Sequence, residues 1–170
     1  MPTIFDKNLN YDINSISKNG LYRIGVGAVI ENNGLIFCAT RIDNQNEDEK
    51  TLQMPQGGVD DGEDLYAAVL REIYEETGIK SDKLEFKSRL ENWLYYEVPK
   101  DYRPKIQNRI GQVHIWFNFK FLGCDEDINL NATKHNEFSK FFWERSSTII
   151  EKSIYFKQNI YLQIFNNFSL

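Results

Sequence analysis

The apolar residues of this chain follow two different repeats, and each repeat predicts a different kind of element. From Tyr22 to Glu31 they alternate with polar or small residues, which is typical of a β-strand. Further strands are predicted by the same alternation at 111–122 and by shorter apolar runs at 35–40, 51–54, 84–90, 92–98 and 141–143. Helical spacing appears at 154–168 and after Asp64, which can cap a helix that Gly78 then ends. The pattern predicts an α/β domain.

Turns and loops are predicted between these elements. Asn32-Asn33-Gly34 favours a hairpin turn, and the polar segments 1–20 and 42–50 are interpreted as an extension lying loosely on the domain and a solvent loop. The loop 99–109 has an excess of basic residues that either contacts phosphates or is simply solvated. Glycines at 25 and 27 leave room on one face of the first strand for a close neighbour, with a ligand as one candidate.

Three carboxylates are clustered on the predicted helix that follows Asp64. Glu72, Glu75 and Glu76 are spaced i, i+3 and i+4, so their side chains converge on one arc. Glu72 and Glu76 share their side of the helix with Leu65 and Val69, which predicts that they are half-buried. Half-buried carboxylates need cations, and an oxygen-only cluster suits Mg²⁺ or Mn²⁺.

This helix and the loop before it resemble the signature box of the Nudix hydrolases. The positions that the box specifies are filled by Gly57, Glu63, Arg71, Glu72, Ile73, Glu75, Glu76, Gly78 and Ile79. The resemblance implies a Nudix fold, in which a mixed β-sheet is sandwiched between the box helix and the C-terminal helix. It also implies hydrolysis of a phosphoanhydride in a nucleoside diphosphate linked to another group.

Composition narrows the class of protein. The 170 residues are 41% hydrophobic and 14% aromatic, which suits one domain with its own core. A net charge of −5 argues against a protein that coats DNA or RNA through a broad positive field. Cys38 and Cys124 lie far apart and predict neither a zinc site nor a disulfide. With no apolar run long enough to cross a membrane and no signal-peptide pattern, we expect a cytoplasmic protein.

Beyond the box, the chain is similar to one branch of the family, the RNA 5′-pyrophosphohydrolases, also described as dinucleoside polyphosphate hydrolases. The matching runs are Tyr22-Arg23, Gln53 to Gly58, Trp93 to Tyr96, Gly111-Gln112, Trp116-Phe117, Glu137-Phe138, Trp143 and Phe156-Lys157. This likeness implies a role in mRNA decay. The chain departs from the branch at Val113 and Ile115, where basic residues are usual, and at Ile24-Gly25.

The resemblance implies roles for the acidic residues and for the residues that hold them. Glu72, Glu75, Glu76 and Glu137 are predicted to be catalytic and to ligate Mg²⁺ or Mn²⁺. The general base is Glu137 or one of the box glutamates, and taken alone Glu137 would pass for a surface acid. Structural roles are predicted for Gly57, Glu63, Arg71 and Gly78. Arg71 can pair with Glu75 at i+4 or with Glu63.

The resemblance also implies two sets of substrate contacts. Arg23, Arg41 and Gln112 are predicted to bind phosphates, although the two arginines would equally pass for strand-end charges. The base-binding residues implied are Tyr96, Ile154, Phe156 and Lys157. On composition alone, the apolar members of that set would be core residues, and His114 is interpreted as a polar strand residue near the site rather than a base.

The sequence leaves three hypotheses for function open. The first is an RNA 5′-pyrophosphohydrolase that converts 5′-triphosphate ends to monophosphates and also cleaves dinucleoside polyphosphates. The second is a small-molecule Nudix enzyme, which the apolar residues at 113 and 115 favour. The third is a nucleotide sensor without catalytic activity, against which the intact set of box glutamates counts.

Overall fold

The sheet is built around two long strands that run parallel to each other. In the computed structural model, which describes residues 11–42, 51–103 and 108–170, β1 (Tyr22–Asn32) pairs in parallel with β6 (Gly111–Phe121). The outer strands are β2 (Leu35–Arg41), β4 (Leu84–Arg89), β5 (Leu94–Glu97) and β7 (Phe138–Glu144). With β3 (Gln56–Gly58) beside β1 they form one seven-stranded sheet in which the other named pairings are antiparallel. The predicted mixed sheet is confirmed.

Helices cover both faces of the sheet. The described helices are α1 (Ile13–Ile16), α2 (Leu65–Thr77), α3 (Ser146–Lys152) and α4 (Tyr155–Phe168). Tyr66 of α2 packs on Phe117, whereas Tyr161 of α4 packs edge-on against Trp116. Because neighbouring residues of a strand point to opposite faces, α2 and α4 lie on opposite sides of β6. This confirms the α/β/α arrangement.

The turn between β1 and β2 is the one that the sequence predicts. Asn33 and Gly34 have φ values of 51° and 80°, so both central residues are left-handed, as a type I′ hairpin turn requires. Both faces of β1 are covered, since Val26 and Val29 are fully buried. The central strand therefore forms the middle of the core.

The prediction of a strand at 51–54 is wrong. Only an isolated bridge joins Gln53 to Ala39, because the backbone N–H groups of this segment reach three different elements. Leu52 donates to the carbonyl of Lys152, and Met54 donates to the hydroxyl of Tyr161. The regular strand begins only after Pro55, at β3.

Contacts at the sheet bear on two other predictions. The close neighbours of Gly25 and Gly27 are protein rather than ligand, because a Cβ at these positions would overlap His114 and Trp116 of β6. Residues 11–20 contact the domain, with the Tyr95 hydroxyl donating to the carbonyl of Ile16 over 2.9 Å.

Several sequence predictions lie outside the described residues. They concern 1–10 of the extension, 43–50 of the solvent loop and 104–107 of the basic loop. Within the residues that are described, no helix is long and apolar enough to cross a membrane.

Candidate active site

The box helix begins and ends where the sequence predicts. The Asp64 carboxylate accepts a hydrogen bond of 3.0 Å from the backbone N–H of Ala67, which caps α2. Gly78 ends the helix in the left-handed conformation at φ 72°. The caps set the two ends of the helix, and its buried residues Leu65, Val69 and Ile73 set the side that faces the sheet.

The three box glutamates differ in how deeply they are buried. Glu76 is 2% exposed, and the side chains of Glu72 and Glu75 are 14% and 26% exposed. This confirms the prediction that Glu72 and Glu76 belong to the buried side of the helix.

Glycines of β3 allow the Glu72 carboxylate to approach the sheet. A Cβ at Gly57 would overlap that carboxylate, so only glycine leaves room for it there. The next residue, Gly58, has the Arg23 guanidinium over it in the same way. Because consecutive residues of a strand face opposite sides, Gly57 makes room for Glu72 on one face of β3 and Gly58 makes room for Arg23 on the other.

Arg71 joins the loop before α2 to the helix. Its guanidinium donates to both oxygens of Glu63, at 2.7 and 2.9 Å, and to the carbonyl of Gly58 at 2.8 Å. It also donates to Glu72 at 2.8 Å and to Glu75 at 3.3 Å. Hydrogen bonding to Arg71 lowers the pKa of Glu63. Both partners that the sequence offers Arg71 are therefore bound at once, and Glu72 is a third.

Glu76 is the most enclosed acid of the site. Its Oε2 accepts a hydrogen bond of 3.2 Å from the backbone N–H of Gln56, and its Oε1 is buried with no hydrogen-bond partner among the described residues. Burial raises its pKa well above the ordinary value, and the charges of Glu137 and Glu72 add to the effect. A buried carboxylate oxygen without a donor is what a cation ligand provides before the cation binds.

Glu137 lies on a loop that faces α2, in agreement with the sequence interpretation. Thr133 of this loop donates to the carbonyl of Glu75 over 3.1 Å, which docks the loop on the helix. The Glu137 carboxylate is 3.1 Å from Nη1 of Arg41, and its charge acts on Glu72 and Glu76. A predicted phosphate ligand and a predicted metal ligand are thus neighbours.

The carboxylates of Glu72, Glu75, Glu76 and Glu137 do not converge on one point in this structure. No group of three His, Cys, Asp or Glu side chains that could hold a metal ion is found across residues 11–42, 51–103 and 108–170. Arg71 accounts for this, because it engages Glu72 and Glu75 and draws them toward Glu63. The donor chemistry suits a hard divalent ion, and binding would require these two side chains to turn from Arg71.

The predicted base-binding residues Tyr96, Phe156 and Lys157 lie together near the acids. Tyr96 and Phe156 are stacked with 6.3 Å between their ring centres, and the Lys157 ammonium lies 5.5 Å from the centre of the Tyr96 ring. Lys157 also donates to Oε1 of Gln53 over 3.3 Å. Ile154 is half-buried at the N-cap of α4. The four predicted base-binding residues lie on β5 and at the start of α4.

Burial shifts the pKa values of Lys157 and Tyr96. The pKa of Lys157 is lowered to about 8 by burial and by the charge of Arg41, against the opposing charges of Glu76 and Glu137. The pKa of Tyr96 is raised to about 12 because the ring is buried. At neutral pH Lys157 is therefore a charged ammonium and Tyr96 is a neutral phenol.

His114 is a buried, neutral residue. It is 1% exposed, and burial lowers its pKa to about 3, with the charges of Lys157 and Arg23 adding to the effect. Since it packs on Gly25 rather than reaching into the open site, it fits the interpretation as a polar strand residue.

Val113 and Ile115 alternate with Gln112 and His114 along β6. They are 0% and 2% exposed, on the face of the strand opposite to Gln112 and His114. Gln112 is opposite Arg23 in the pairing of β6 with β1. The apolar residues at 113 and 115 are therefore packed on the face of β6 opposite to that of Gln112 and Arg23.

Gln56 is a site residue that the sequence interpretation did not single out. Its backbone N–H binds Glu76, and its Nε2 donates to the Tyr96 hydroxyl at 3.0 Å and to Gln112 at 3.4 Å. The one available signal was its place between Pro55 and the first box glycine. Its contacts depend on three separate elements, which spacing along the chain does not reveal.

Comparison with known proteins gives the family. A NUDIX domain profile matches residues 21–161. The chain is similar to an RNA pyrophosphohydrolase of Orientia tsutsugamushi, with 42% identity over 97% of both chains. It is also similar to an RNA pyrophosphohydrolase of Dinoroseobacter shibae, with 40% identity over 87% of this chain and 92% of the relative.

Solved structures share the fold at much lower identity. The Ap4A hydrolase of C. elegans, in a binary complex, superposes with a TM-score of 0.61 at 21% identity, covering 86% of this chain and 96% of the other. The dihydroneopterin triphosphate pyrophosphohydrolase of E. coli superposes with a TM-score of 0.63 at 17% identity, covering 86% and 99%. Together with the box geometry, the profile match and the relatives show that the chain belongs to the Nudix family of hydrolases.

Proposed function

We propose that this protein is a metal-dependent RNA 5′-pyrophosphohydrolase. The observation that carries the proposal is the position of Gln56 between the box glutamates and the predicted nucleobase-binding residues. Its backbone N–H holds Glu76 at 3.2 Å, while its side chain reaches Tyr96 at 3.0 Å. A substrate that fits both must carry a phosphoanhydride a short distance from a nucleobase. The 5′-triphosphate end of an RNA meets that requirement, and both relatives described above are named for this activity.

The proposed reaction is hydrolysis of the triphosphate end. Water attacks phosphorus, a P–O–P bond breaks, and the products are a 5′-monophosphate RNA end and pyrophosphate, or two phosphates in sequence. Mg²⁺ or Mn²⁺ held by Glu72, Glu75, Glu76 and Glu137 would neutralise phosphate charge and acidify the attacking water. A phosphoryl transfer of this kind needs chiefly positioning and charge stabilisation.

Other residues are assigned to phosphate binding, to proton transfer and to binding of the nucleobase. Arg23 and Arg41 bind phosphate oxygens with their guanidinium forks, and Gln112 lies opposite Arg23 on the neighbouring strand. Glu137, or a box glutamate, takes the proton of the attacking water. The base stacks beside the Tyr96 and Phe156 rings, and Lys157 donates to its edge.

The proposed substrate also sets the expected biological context. Removal of pyrophosphate from RNA 5′ ends belongs to mRNA decay in the cytoplasm. Dinucleoside polyphosphates present the same anhydride beside a base, so we propose them as further substrates.

The test is turnover of two substrates by the whole protein. With Mg²⁺, and separately with Mn²⁺, we would compare 5′-triphosphorylated RNA with diadenosine tetraphosphate and resolve the products. The proposal expects faster conversion of the RNA, abolished by metal removal and by Glu75→Gln or Glu76→Gln. The matched control is Glu85→Gln, which changes an exposed acid on β4 and should leave turnover unchanged.

Two outcomes would reject this function. Preferential cleavage of the dinucleotide would make the protein a small-molecule Nudix enzyme. Metal-dependent binding of nucleotides without turnover of either substrate would leave a sensor, or a Nudix enzyme that acts on a different substrate.

A further inference from the structure

A cavity of about 420 Å³ lies between the segment that precedes β1 and the loop before α2. Its lining comes from residues 11–20, from residues 59–62 of the loop, and from the start of β1 and the approach to β6, which add Arg23 and Arg109. Small-molecule sites have volumes of about 300–1,000 Å³, so this cavity is large enough for a ligand. Residues 11–20 lie outside the part of the chain that matches the NUDIX profile. We name this space the N-terminal cavity.

The segment that lines one side of the N-terminal cavity is fastened to the sheet at several points. The Tyr11 ring packs on Trp93 with 5.2 Å between ring centres. The carbonyl of Ile16 accepts the hydrogen bond from Tyr95, and the Lys18 ammonium lies 4.6 Å from the centre of the same Tyr95 ring. Because the segment is already ordered, a ligand that enters the cavity has little ordering of this wall to offset.

The loop before α2 ties the N-terminal cavity to the candidate active site. The backbone N–H of Asp60, in the cavity lining, donates to Oε2 of Glu63 over 2.9 Å, and Glu63 is in turn bound by Arg71. Arg71 is the residue that also engages the box glutamates Glu72 and Glu75. One hydrogen-bonded network therefore joins the wall of the cavity to the predicted metal ligands.

Arg23 and Arg109 bring positive charge to the N-terminal cavity. They lie near each other because β1 and β6 run parallel from the same end of the sheet, where the N–H of Ile110 donates to the carbonyl of Leu21 over 2.8 Å. Neither guanidinium forms a hydrogen bond or an ion pair with another of the described residues. Free guanidinium donors match phosphate oxygens, so a phosphate-rich anion suits this pair.

Two carboxylates limit how tightly the N-terminal cavity can hold an anion. Asp60 and Asp61 belong to the lining, and the Asp60 side chain is 80% exposed at 3.9 Å from Arg71. Their negative charge opposes that of an incoming phosphate, whereas the arginines attract it. Such a balance suits an anion that must be released in every catalytic cycle rather than one that stays bound.

We propose that the N-terminal cavity receives the pyrophosphate that leaves when the RNA 5′ end is hydrolysed. In this step the water oxygen forms a bond to the α-phosphorus, and the bond from that phosphorus to the oxygen that bridges to the β-phosphate breaks. Pyrophosphate departs with the electron pair of the broken bond, and the proton of the water passes to the general base.

The inference rests on the proposed function and deepens it in two ways. It commits the reaction to pyrophosphate as the product, rather than to two phosphates in sequence. It also assigns Arg109 and residues 11–20 to the release of that product, with Arg23 shared between the active site and the cavity.

Binding of inorganic pyrophosphate tests the cavity without turnover. In calorimetric titrations of the metal-free protein, Arg109→Met should weaken pyrophosphate by about 5-fold, the upper range for one exposed ion pair. Asp61→Asn should change the affinity in the opposite direction, because it removes a like charge from the lining. Arg145→Met, which changes an exposed arginine outside the cavity, is the matched control and should leave the affinity as it is.

A bulky side chain tests whether the segment 11–20 is part of the site. Asn14 is exposed on α1 and lines the cavity, so Asn14→Trp should fill the space and weaken pyrophosphate although both arginines remain. Ser15→Trp, at the next and equally exposed position outside the lining, is the matched control and should have no effect. Equal affinity in Asn14→Trp and Ser15→Trp would show that pyrophosphate does not enter the cavity.

Turnover then connects the cavity with the reaction. With 5′-triphosphorylated RNA and Mg²⁺, rapid quenching should reveal pyrophosphate as the first product. Added pyrophosphate should inhibit the wild-type protein, and Arg109→Met should raise the inhibition constant by the same factor by which it weakens binding.

The failures of this inference and of the proposed function are distinguishable. Orthophosphate as the first product, or pyrophosphate binding that ignores both Arg109→Met and Asn14→Trp, would overturn the inference while RNA hydrolysis stands. If RNA is not cleaved but pyrophosphate binding still depends on Arg109 and Asn14, the proposed function fails and takes the role in product release with it, whereas the pyrophosphate site itself stands.

Discussion

The Glu72 carboxylate lies so close to Gly57 that no other residue fits at position 57 while this contact is kept. A Gly57→Ala substitution should therefore displace Glu72 without breaking the strand, because Gly57 does not have a positive φ. Displacing a catalytic group by about 1 Å can cost 100-fold in rate, so we expect kcat to fall by about that factor. Steady-state kinetics and thermal unfolding of the same preparation would check this.

Non-additivity gives the control for Gly57→Ala. In a Glu72→Gln background, the added methyl group should cost little further activity, because the group it displaces is already impaired. Fully additive losses would show that Gly57 acts through something other than Glu72.

Glu76→Gln should separate activity from stability. The carboxylate is buried with Oε1 unpartnered among the described residues, so its charge costs free energy in the metal-free protein. We expect the substitution to abolish turnover while the free energy of unfolding, measured with urea in the presence of a chelator, stays equal or rises. A clear loss of stability in chelator would contradict this account of the buried charge.

Arg71→Lys should loosen the loop before α2. A lysine ammonium cannot keep the paired bonds to Glu63 together with the bonds to Gly58, Glu72 and Glu75. The loss of bonds to a charged donor should lower the free energy of unfolding by about 1–3 kcal/mol. Denaturant titration measures the loss, and a double-mutant cycle with Glu63→Gln should show strong coupling between the two residues. If the losses of unfolding free energy caused by Arg71→Lys and Glu63→Gln simply add, the two residues have no coupling energy.

Lys157 should make stability depend on pH in the alkaline range. Its pKa is lowered to about 8 in the folded protein by burial and by Arg41, opposed by Glu76 and Glu137. Between that value and the unfolded pKa of about 10.4, the unfolded chain binds more protons, so stability gains from this group as pH rises. The cost of the buried charge is fully present below pH 8 and relieved above the unfolded pKa.

The measurement compares Lys157→Met with the wild-type protein. The wild-type stability relative to the variant should rise by about 3 kcal/mol between pH 8 and 10.5, from 1.36 kcal/mol for each pKa unit. Lys80→Met, which changes an exposed lysine, should give a flat difference over the same range. A flat difference for Lys157→Met as well would show that the ammonium is not desolvated.

What the sequence predicts well here is local. The box helix, its caps and the pairing of Arg71 with Glu75 depend on residues a few positions apart, so spacing along the chain predicts them. The hairpin turn at Asn33-Gly34 is predicted for the same reason.

What it predicts poorly depends on which strands become neighbours. The segment 51–54 looks like a strand, but its N–H groups go to separate elements, and only the assembled fold determines that. The glycines of β1 suggested room for a ligand because the sequence does not show that His114 and Trp116 lie beside them. Gln56 was missed for the same reason.

The two ends of Gln56 contribute to the site in chemically different ways. The bond to Glu76 comes from the backbone, whereas the bonds to Tyr96 and Gln112 come from the side-chain amide. Any residue except proline at position 56 supplies the backbone N–H, so the acid keeps its donor when the side chain changes. A change of side chain at position 56 therefore alters the bonds to Tyr96 and Gln112 while the donor to Glu76 stays in place, so the two halves of the candidate site can vary independently.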